Sequence, residues 1–227
     1  CNIYTSPHIK RLNERFIYND EMISDDDLAD LLNKIEEINS GQPLTYFEAL
    51  TAAFFYGCKR YKRNLVIAEF GLFGRGDAVN ILKKNLCNIV TSCSEDHLDW
   101  LPKNDRTIER IIFEKTSSLL ENNIVVAKQN SDEITKYIKK NIYNNRANKY
   151  YFNENYSFVL KEKNFFYYED KFGGLKIPKP NLNGQFQLEN ASTAIATLRI
   201  LKHINIKDHH IIGGIQKASN TARLEEI

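Results

Sequence analysis

The sequence predicts an α/β protein with a mainly parallel sheet flanked by helices. Three short apolar runs, at 65–68, 86–92 and 124–127, lack the polar–apolar alternation of a strand with one solvated face. Such runs are typical of strands buried on both faces of a parallel sheet. Residues 106–120, between the second and third runs, carry a helical apolar pattern. Strands and helices alternating at βαβ spacing favour a parallel sheet.

A strand and two helices are expected before the first apolar run. Residues 2–5 have the composition of a strand. Ser24 precedes three aspartates and then an apolar stripe, which predicts an N-cap, an acidic first turn and an amphipathic helix ending near Gly41. Residues 44–56 are apolar nearly all round. They predict a buried helix with Thr45 near its N-terminus.

After the last apolar run, a short helix and a small antiparallel β region are expected. Ser131 and Asp132 cap a helix that reaches residue 142. Residues 149–180 are rich in Tyr and Phe and alternate partly, with Gly173-Gly174 as a turn. Because these aromatic side chains lack an accompanying basic stripe, they indicate sheet packing rather than base stacking.

Two more helices are expected near the C-terminus. A long helix is predicted over 188–204, and Asp208 is predicted to cap a short last one. We expect residues 1–227 to form a single domain, and both ends of the sequence look cut from a longer protein.

The composition is that of an ordinary soluble globular protein. The chain has 227 residues, of which 42% are hydrophobic and 26% charged. The net charge of +2 gives no strong case for a nucleic acid or a membrane surface as partner. Its four cysteines lack the paired spacing of a zinc site or a disulfide framework, so we expect free thiols in the cytoplasm.

Two polar side chains follow strands of the predicted sheet. Glu69 ends the first apolar run and opens a glycine-rich loop, and His97 lies just beyond the second run. In open α/β sheets, ligands bind beyond the carboxyl ends of the strands. A carboxylate and an imidazole there could ligate a divalent cation or transfer protons. The alternatives stay open: Glu69 could be a solvated strand end, and His97 could be structural.

Two common nucleotide-binding motifs are missing from the sequence. Gly71, Gly74 and Gly76 do not have the G-x-G-x-x-G spacing of a dinucleotide site. No Gly-Lys dipeptide occurs, so these 227 residues hold no P-loop of the usual kind.

Several segments, taken in order, resemble one family. They are Tyr4-Thr5-Ser6-Pro7-His8-Ile9, Asn13-Glu14-Arg15, Leu44-Thr45-Tyr46-Phe47-Glu48, the Glu69 loop, Asp96-His97-Leu98-Asp99-Trp100-Leu101, Glu114-Lys115, Asn190-Ala191 and Arg223-Leu224-Glu225. The chain resembles the bacterial bifunctional dihydrofolate synthase/folylpolyglutamate synthase of the Mur ligase superfamily. The match covers the central ATP-binding domain without its P-loop.

The resemblance implies an ATP-dependent amide ligase of folate biosynthesis. Such an enzyme adds L-glutamate to dihydropteroate or folate through an acyl phosphate, with Mg²⁺ stabilising charge on oxygen. A Mur-type cell-wall ligase and a non-catalytic folate- or nucleotide-binding module remain alternatives. The resemblance also favours a monomer. Because the P-loop and the C-terminal domain of the family are not among these residues, we expect the isolated chain to be inactive.

The resemblance also implies roles for particular residues. Ser6, Glu69 and His97 would be metal ligands, and Lys115 would act beside His97 in catalysis as a carbamylated lysine. Glu69, His97 and Lys115 are expected to converge on one metal position. ATP would meet Asn190 and Arg223. The pterin substrate would meet two segments, made of Thr45, Tyr46, Phe47 and Glu48 and of Gly76, Asp77 and Ala78.

The sequence departs from the family pattern at several positions. In the loop after Glu69, three residues replace the usual Gly, Leu and Thr; they are Phe73, Gly76 and Val79. Phe186 stands where a His often precedes Gln187, and Ala222 stands where a Gly usually precedes Arg223. These departures concern the geometry of the substrate loop and the phosphate contact.

Overall fold

The computed structural model describes residues 1–61 and 64–219. The chain divides into two compact units, 1–82 and 83–227. That residues 1–227 act as a single domain therefore stays a prediction. No helix in the described ranges is long and apolar enough to cross a membrane.

The first unit contains a four-stranded mixed sheet. Its strands are β1 (Asn2–Tyr4), β2 (Phe16–Tyr18), β3 (Glu21–Met22) and β4 (Val66–Ala68), in the order β3-β2-β1-β4. Strand β1 runs parallel to β4, with Ile3 opposite Ile67, and antiparallel to β2. The parallel pairing brings the residues after β1 and after β4 to the same edge of the sheet.

Two helices cover this sheet. Helix α1 is Asp25–Asn39 and α2 is Tyr46–Gly57. The predicted N-cap is confirmed, because the Ser24 hydroxyl accepts a hydrogen bond from the Asp27 backbone N–H. The helices and sheet enclose an aromatic core in which Tyr4 and Phe54 stack with ring centroids 5.0 Å apart.

The second unit contains a parallel sheet, as predicted. Its strands are β5 (Asn88–Val90), β6 (Asn123–Val126) and β7 (Asn148–Tyr151), in the order β5-β6-β7 and all parallel. Helix α3 (Ile108–Thr116) connects β5 to β6, and α4 (Asp132–Asn141) connects β6 to β7. The expectation that residues 149–151 belong to the antiparallel region was wrong, since β7 extends the parallel sheet.

A small antiparallel sheet follows, as predicted. It consists of β8 (Tyr156–Glu162), β9 (Phe165–Asp170) and β10 (Gly173–Pro178), with α5 (Phe186–Ile200) and α6 (Asp208–Lys217) after it. Phe166 and Tyr168 are buried in a core with residues of α5, so these rings pack the sheet.

Three local expectations in this region were wrong. Gly173 and Gly174 begin β10 and pair with β9 instead of forming the turn. Helix α5 ends at Ile200, although the apolar pattern continues to Ile204. The cap of α6 is Lys207, and Asp208 is its first residue. Apolar periodicity does not mark where backbone hydrogen bonding stops, which accounts for the helix boundaries.

The strand before Glu69 is less buried than its apolar sequence predicts. Val66 is 37% exposed and Ile67 is 48% exposed. Strand β4 lies at the edge of its described sheet, and Ile89 on the edge strand β5 is similarly exposed at 47%. An apolar run cannot distinguish an edge strand from a central one, because both can carry the same side chains.

Candidate active site

Glu69 lies at the carboxyl end of β4, as predicted, and is held by the residues that follow β1. Its Oε2 atom accepts hydrogen bonds from the Thr5 hydroxyl at 2.5 Å and from the Ser6 backbone N–H at 2.9 Å. Its backbone N–H donates to the Tyr4 carbonyl at 2.9 Å. These contacts fix the carboxylate at the sheet edge where β1 and β4 end together.

Two side-chain oxygen atoms at this edge form no hydrogen bond within the described residues. Neither Glu69 Oε1 nor the Ser6 hydroxyl has a hydrogen-bond partner there. Mg²⁺ prefers oxygen ligands and keeps several waters, so one carboxylate and one hydroxyl suit it. The side chains present therefore fit a magnesium ion.

Asp77, a predicted substrate contact, organises the loop after Glu69. One carboxylate oxygen accepts from the backbone N–H groups of Gly71 (2.9 Å) and Leu72 (3.2 Å), and the other from Val79 (2.9 Å). Gly76 has a φ of +75°, in the left-handed region that favours glycine, which explains its presence where the family has Leu. Ala78 follows, in a 3₁₀ turn capped by Asp77.

Two of the four residues in the predicted pterin segment form the cap of α2. The Thr45 hydroxyl accepts from the Glu48 backbone N–H at 3.3 Å, and the Glu48 carboxylate accepts from the Thr45 backbone N–H at 2.8 Å. This reciprocal pair is a capping box. Sequence reasoning assigned both side chains to substrate without considering the cap, which the Thr-x-x-Glu spacing also signals.

The two aromatic residues between Thr45 and Glu48 differ in exposure. Phe47 is half-buried in the core of the first unit, where its ring packs so closely on Gly71 that a Cβ there would lie 2.7 Å from it. Tyr46 is 60% exposed. Of the two rings that could stack on a flat substrate, Tyr46 has the exposed face.

Sequence analysis gave no role to Arg15, which precedes β2. Arg15 is only 8% exposed, and its Nε donates to His8 Nδ1 at 3.0 Å. Its guanidinium carbon lies 5.9 Å from the centroid of the Tyr46 ring. Burial raises the pKa of the nearby Tyr4 hydroxyl, while the Thr51 hydroxyl and the Arg15 charge act in the opposite direction.

In the second unit, Lys115 pairs with Asp96. Lys115 lies in the last turn of α3, and its Nζ is 3.4 Å from Asp96 Oδ2. The other oxygen, Asp96 Oδ1, is buried and has no hydrogen-bond partner among the described residues. Cys93 is buried beside this pair, and burial raises the pKa of its thiol to about 11.

His97 is an exposed residue with a left-handed backbone, at φ +54°, and it begins the short 3₁₀ turn Leu98–Trp100. This conformation is uncommon for a residue with a side chain, although histidine is among the more frequent examples. The turn presents His97 on the loop after β5, as the sequence predicts.

The two predicted ATP contacts differ in what the structure describes. Asn190 is exposed on α5, and its Nδ2 donates to Gln187 Oε1 at 3.2 Å. The adjacent Glu189 forms an ion pair with Lys128 at 2.6 Å. Arg223 and Ala222 lie outside the described residues.

The predicted ligand set of Ser6, Glu69 and His97, with Lys115 nearby, draws on both units and stays a prediction. Within either unit, the described residues include no group of three or more His, Cys, Asp or Glu side chains placed to hold a metal. The oxygens at the end of β4 are therefore the part of the set that the structure describes in detail.

Comparison with known proteins gives one consistent family. No family model matches the chain. The chain is 31% identical over 249 residues to the Bacillus subtilis dihydrofolate synthase/folylpolyglutamate synthase, an alignment that covers 98% of this chain and 54% of that protein. The chain thus spans about half the length of this curated relative.

Two solved structures have the same fold. The Escherichia coli protein FolC, in complex with DHPP and ADP, matches with a TM-score of 0.86 at 26% identity, over 100% of this chain and 52% of that one. A bifunctional folylpolyglutamate synthase/dihydrofolate synthase with Mn, AMPPNP and L-glutamate bound matches with a TM-score of 0.85 at 28% identity, with the same coverage of both chains.

These matches show that the chain has the Mur ligase fold. Within that class, the chain is homologous to the dihydrofolate synthase/folylpolyglutamate synthases over nearly its whole length.

Proposed function

We propose that the protein carrying this chain is an ATP-dependent ligase that joins L-glutamate to dihydropteroate or folate. The homology covers 98% of the chain, and the related structures hold DHPP with ADP, or AMPPNP with L-glutamate. The single observation that carries the proposal is Glu69, since a fixed carboxylate with one unused oxygen stands where the fold places ligands.

The proposed reaction has two steps. A carboxylate oxygen of the pteroyl substrate attacks the terminal phosphate of ATP, which releases ADP and forms an acyl phosphate. The amine of glutamate then attacks the acyl carbon, the C–O bond to phosphate breaks, and an amide and inorganic phosphate remain. Each step gathers negative charge on oxygen atoms, which fixed cations and hydrogen-bond donors must stabilise.

Ser6 and Glu69 would hold the magnesium ion. Bound there, the ion would neutralise charge on the phosphate oxygens. The Thr5 hydroxyl and the Ser6 backbone N–H hold Oε2 of Glu69, which would leave Oε1 available as a ligand of the ion. His97 is proposed as an additional ligand from the loop after β5.

Lys115 is proposed as a carbamylated lysine, which would turn a cationic side chain into an oxygen ligand. In the structure the amine pairs with Asp96. A carbamate anion at the same place would face this carboxylate and be repelled by it. Carbamylation therefore requires that a cation lie between the two groups or that the Asp96 side chain turn away.

The proposed substrate-binding residues are of two kinds: side chains that contact the substrate and side chains that set the shape of the site. Tyr46 has an exposed ring that can stack on a pterin. Phe47, Glu48 and Asp77 are already engaged in the core, the helix cap and the loop, so we propose that they set the shape of the site. Asn190 is proposed to meet ATP through its exposed amide.

The direct test is an assay of the complete protein with ATP, Mg²⁺, L-glutamate and dihydropteroate. Mass spectrometry should show a product one glutamyl residue heavier, and ADP release should require both the pteroyl substrate and glutamate. Ligation of a cell-wall precursor instead would favour a Mur-type ligase. Binding of dihydropteroate or ATP without product would favour a non-catalytic module.

A further inference from the structure

We infer that Arg15 is a substrate-binding residue. Its guanidinium has no carboxylate partner among the described residues and binds the carboxylate of the pteroyl substrate. This inference rests on the proposed function and adds a residue to it.

Charge balance at Arg15 supports this inference. Arg15 is a cation of which only 8% is exposed, yet no carboxylate in the described residues forms an ion pair with it. Among the described residues, the only hydrogen-bond partner of its side chain is His8 Nδ1, which accepts from Nε and leaves both terminal nitrogens without a protein acceptor. The two terminal nitrogens are not among the fully buried polar atoms of the described residues that lack a partner, so they reach solvent and an anion can approach them.

The guanidinium is also held in place without being neutralised. His8 can accept from Arg15 Nε only while its own Nδ1 carries no proton, so this contact orients the guanidinium and leaves its charge intact. The Tyr46 ring lies 5.9 Å from the guanidinium carbon and limits its movement on another side. A planar fork fixed in this way can donate two parallel hydrogen bonds to a carboxylate.

The position of Arg15 in the fold also supports the inference. The Arg15 carbonyl accepts from the Thr5 backbone N–H at 3.3 Å, and the neighbouring Thr5 hydroxyl holds Glu69. Arg15 therefore belongs to the same edge of the first unit as the proposed metal ligands.

The ligand chemistry follows from charge. An unpaired buried cation gains most from an anion, and the pteroyl substrate carries its negative charge on the carboxylate that becomes the acyl phosphate. The pterin ring is uncharged and would leave the guanidinium unbalanced. We therefore assign Arg15 to the carboxylate end of the substrate, with Tyr46 beside it.

The test uses the complete protein with two Arg15 variants. Arg15→Lys keeps the charge without the fork, and Arg15→Gln removes the charge. A charge-assisted hydrogen bond is worth about 1.5–3 kcal/mol, which corresponds to about a 10- to 150-fold change. We expect the KM for dihydropteroate to rise by about tenfold in the lysine variant and by more in the glutamine variant, while the KM values for ATP and glutamate stay within about twofold.

Arg11→Gln is the matched control, because Arg11 is an exposed arginine that pairs with Asp25 on the surface. It should leave all three KM values unchanged. An unchanged KM for dihydropteroate in folded Arg15 variants would overturn the inference. The proposed function would survive that result if the wild-type protein still forms the glutamylated product.

A second measurement guards against variants that do not fold. In buffer without divalent metal, the wild-type protein should bind dihydropteroate at least tenfold more tightly than the analogue in which the carboxylate is a neutral carboxamide. Without a metal ion, only groups of the protein can stabilise the carboxylate charge. Equal binding of the two, or binding of neither, would overturn the inference. If the Arg15 variants are less stable but still prefer dihydropteroate over the carboxamide as strongly as the wild type does, Arg15 contributes to folding alone.

Discussion

The carboxylates of Glu69, at the end of a strand, and Asp96, on a loop, differ in whether a cation already pairs with them. Glu69 accepts two hydrogen bonds from neutral groups on one oxygen and leaves the other oxygen unused. Asp96 faces the Lys115 ammonium at 3.4 Å with one oxygen, while its other oxygen is buried without a partner among the described residues. The first carboxylate is therefore ready for a cation, whereas the second already has one.

This difference indicates that the Glu69 carboxylate is the one already arranged to receive a cation. Neutral donors orient Glu69 without cancelling its charge, so a metal ion gains the full attraction of the carboxylate. At Asp96 the ammonium must move or change its chemical form before the carboxylate can serve another ligand. Removing each carboxylate in turn should thus have different consequences.

The largest effect is expected from Glu69→Gln in the complete protein. A glutamine oxygen can still accept from Thr5 and Ser6, so the loop should keep its shape while the negative charge is lost. Loss of one electrostatic contact of this kind lowers turnover by about 10²- to 10³-fold. Steady-state assays across a magnesium titration should show that loss together with a weaker dependence on Mg²⁺.

The matched control for this variant is Glu37→Gln. Glu37 is an exposed carboxylate on α1 that pairs with Lys34 at 2.7 Å. Its loss should leave turnover unchanged within about twofold. Equal turnover in the Glu69→Gln and wild-type proteins would exclude Glu69 as a ligand in the proposed metal site.

A smaller effect is expected from Asp96→Asn. This change removes the negative charge that repels a carbamate on Lys115. If the proposed carbamylation occurs, its occupancy at limiting bicarbonate should rise by about tenfold. The measurement is carbon NMR of the protein in ¹³C-labelled bicarbonate, with Lys115→Arg as the variant that cannot carry the group.

Asp99→Asn is the control for that experiment, since the Asp99 carboxylate is 96% exposed and lies 3.6 Å from Arg106. It should not change the carbamate signal. A lower signal in Asp96→Asn than in the wild type would show that Asp96 supports the carbamate, for example through a shared ion.

The sequence sufficed for the fold because the strongest patterns are local. The Ser24 cap and the helix after Thr45 depend on neighbours within a few residues. The errors fall where distant pairing decides. Residues 148–151 join the parallel sheet only because β6 offers them a partner, and Val66 is exposed because β4 is an edge strand.

The candidate site was predictable to a different extent. The apolar run before Glu69 placed that carboxylate at a strand end, which the structure confirms. The resemblance, not the residue pattern, suggested Ser6, Lys115 and Asn190. Arg15 belongs to the Asn13-Glu14-Arg15 segment of the resemblance, but the sequence gives it no role, because burial without a counter-ion is a property of the folded chain.

The smallest expected effect separates the shape of the loop after Glu69 from its chemistry. Gly76 has a φ of +75° and enough open space for a Cβ, so Gly76→Ala should cost about 1–2 kcal/mol through backbone strain alone. Gly213, inside α6, also has open space but an ordinary helical φ. Gly213→Ala should therefore stabilise by about 0.5–1 kcal/mol.

Chemical denaturation of the complete protein can measure both free energies of unfolding. Opposite signs would show that the Gly76 conformation is required by the loop that Asp77 organises. A neutral or stabilising Gly76→Ala would mean that the loop can relax into an ordinary backbone conformation. The unused oxygen of Glu69 would then owe its position to Thr5 and Ser6 alone, since they bind the carboxylate directly from the end of β1.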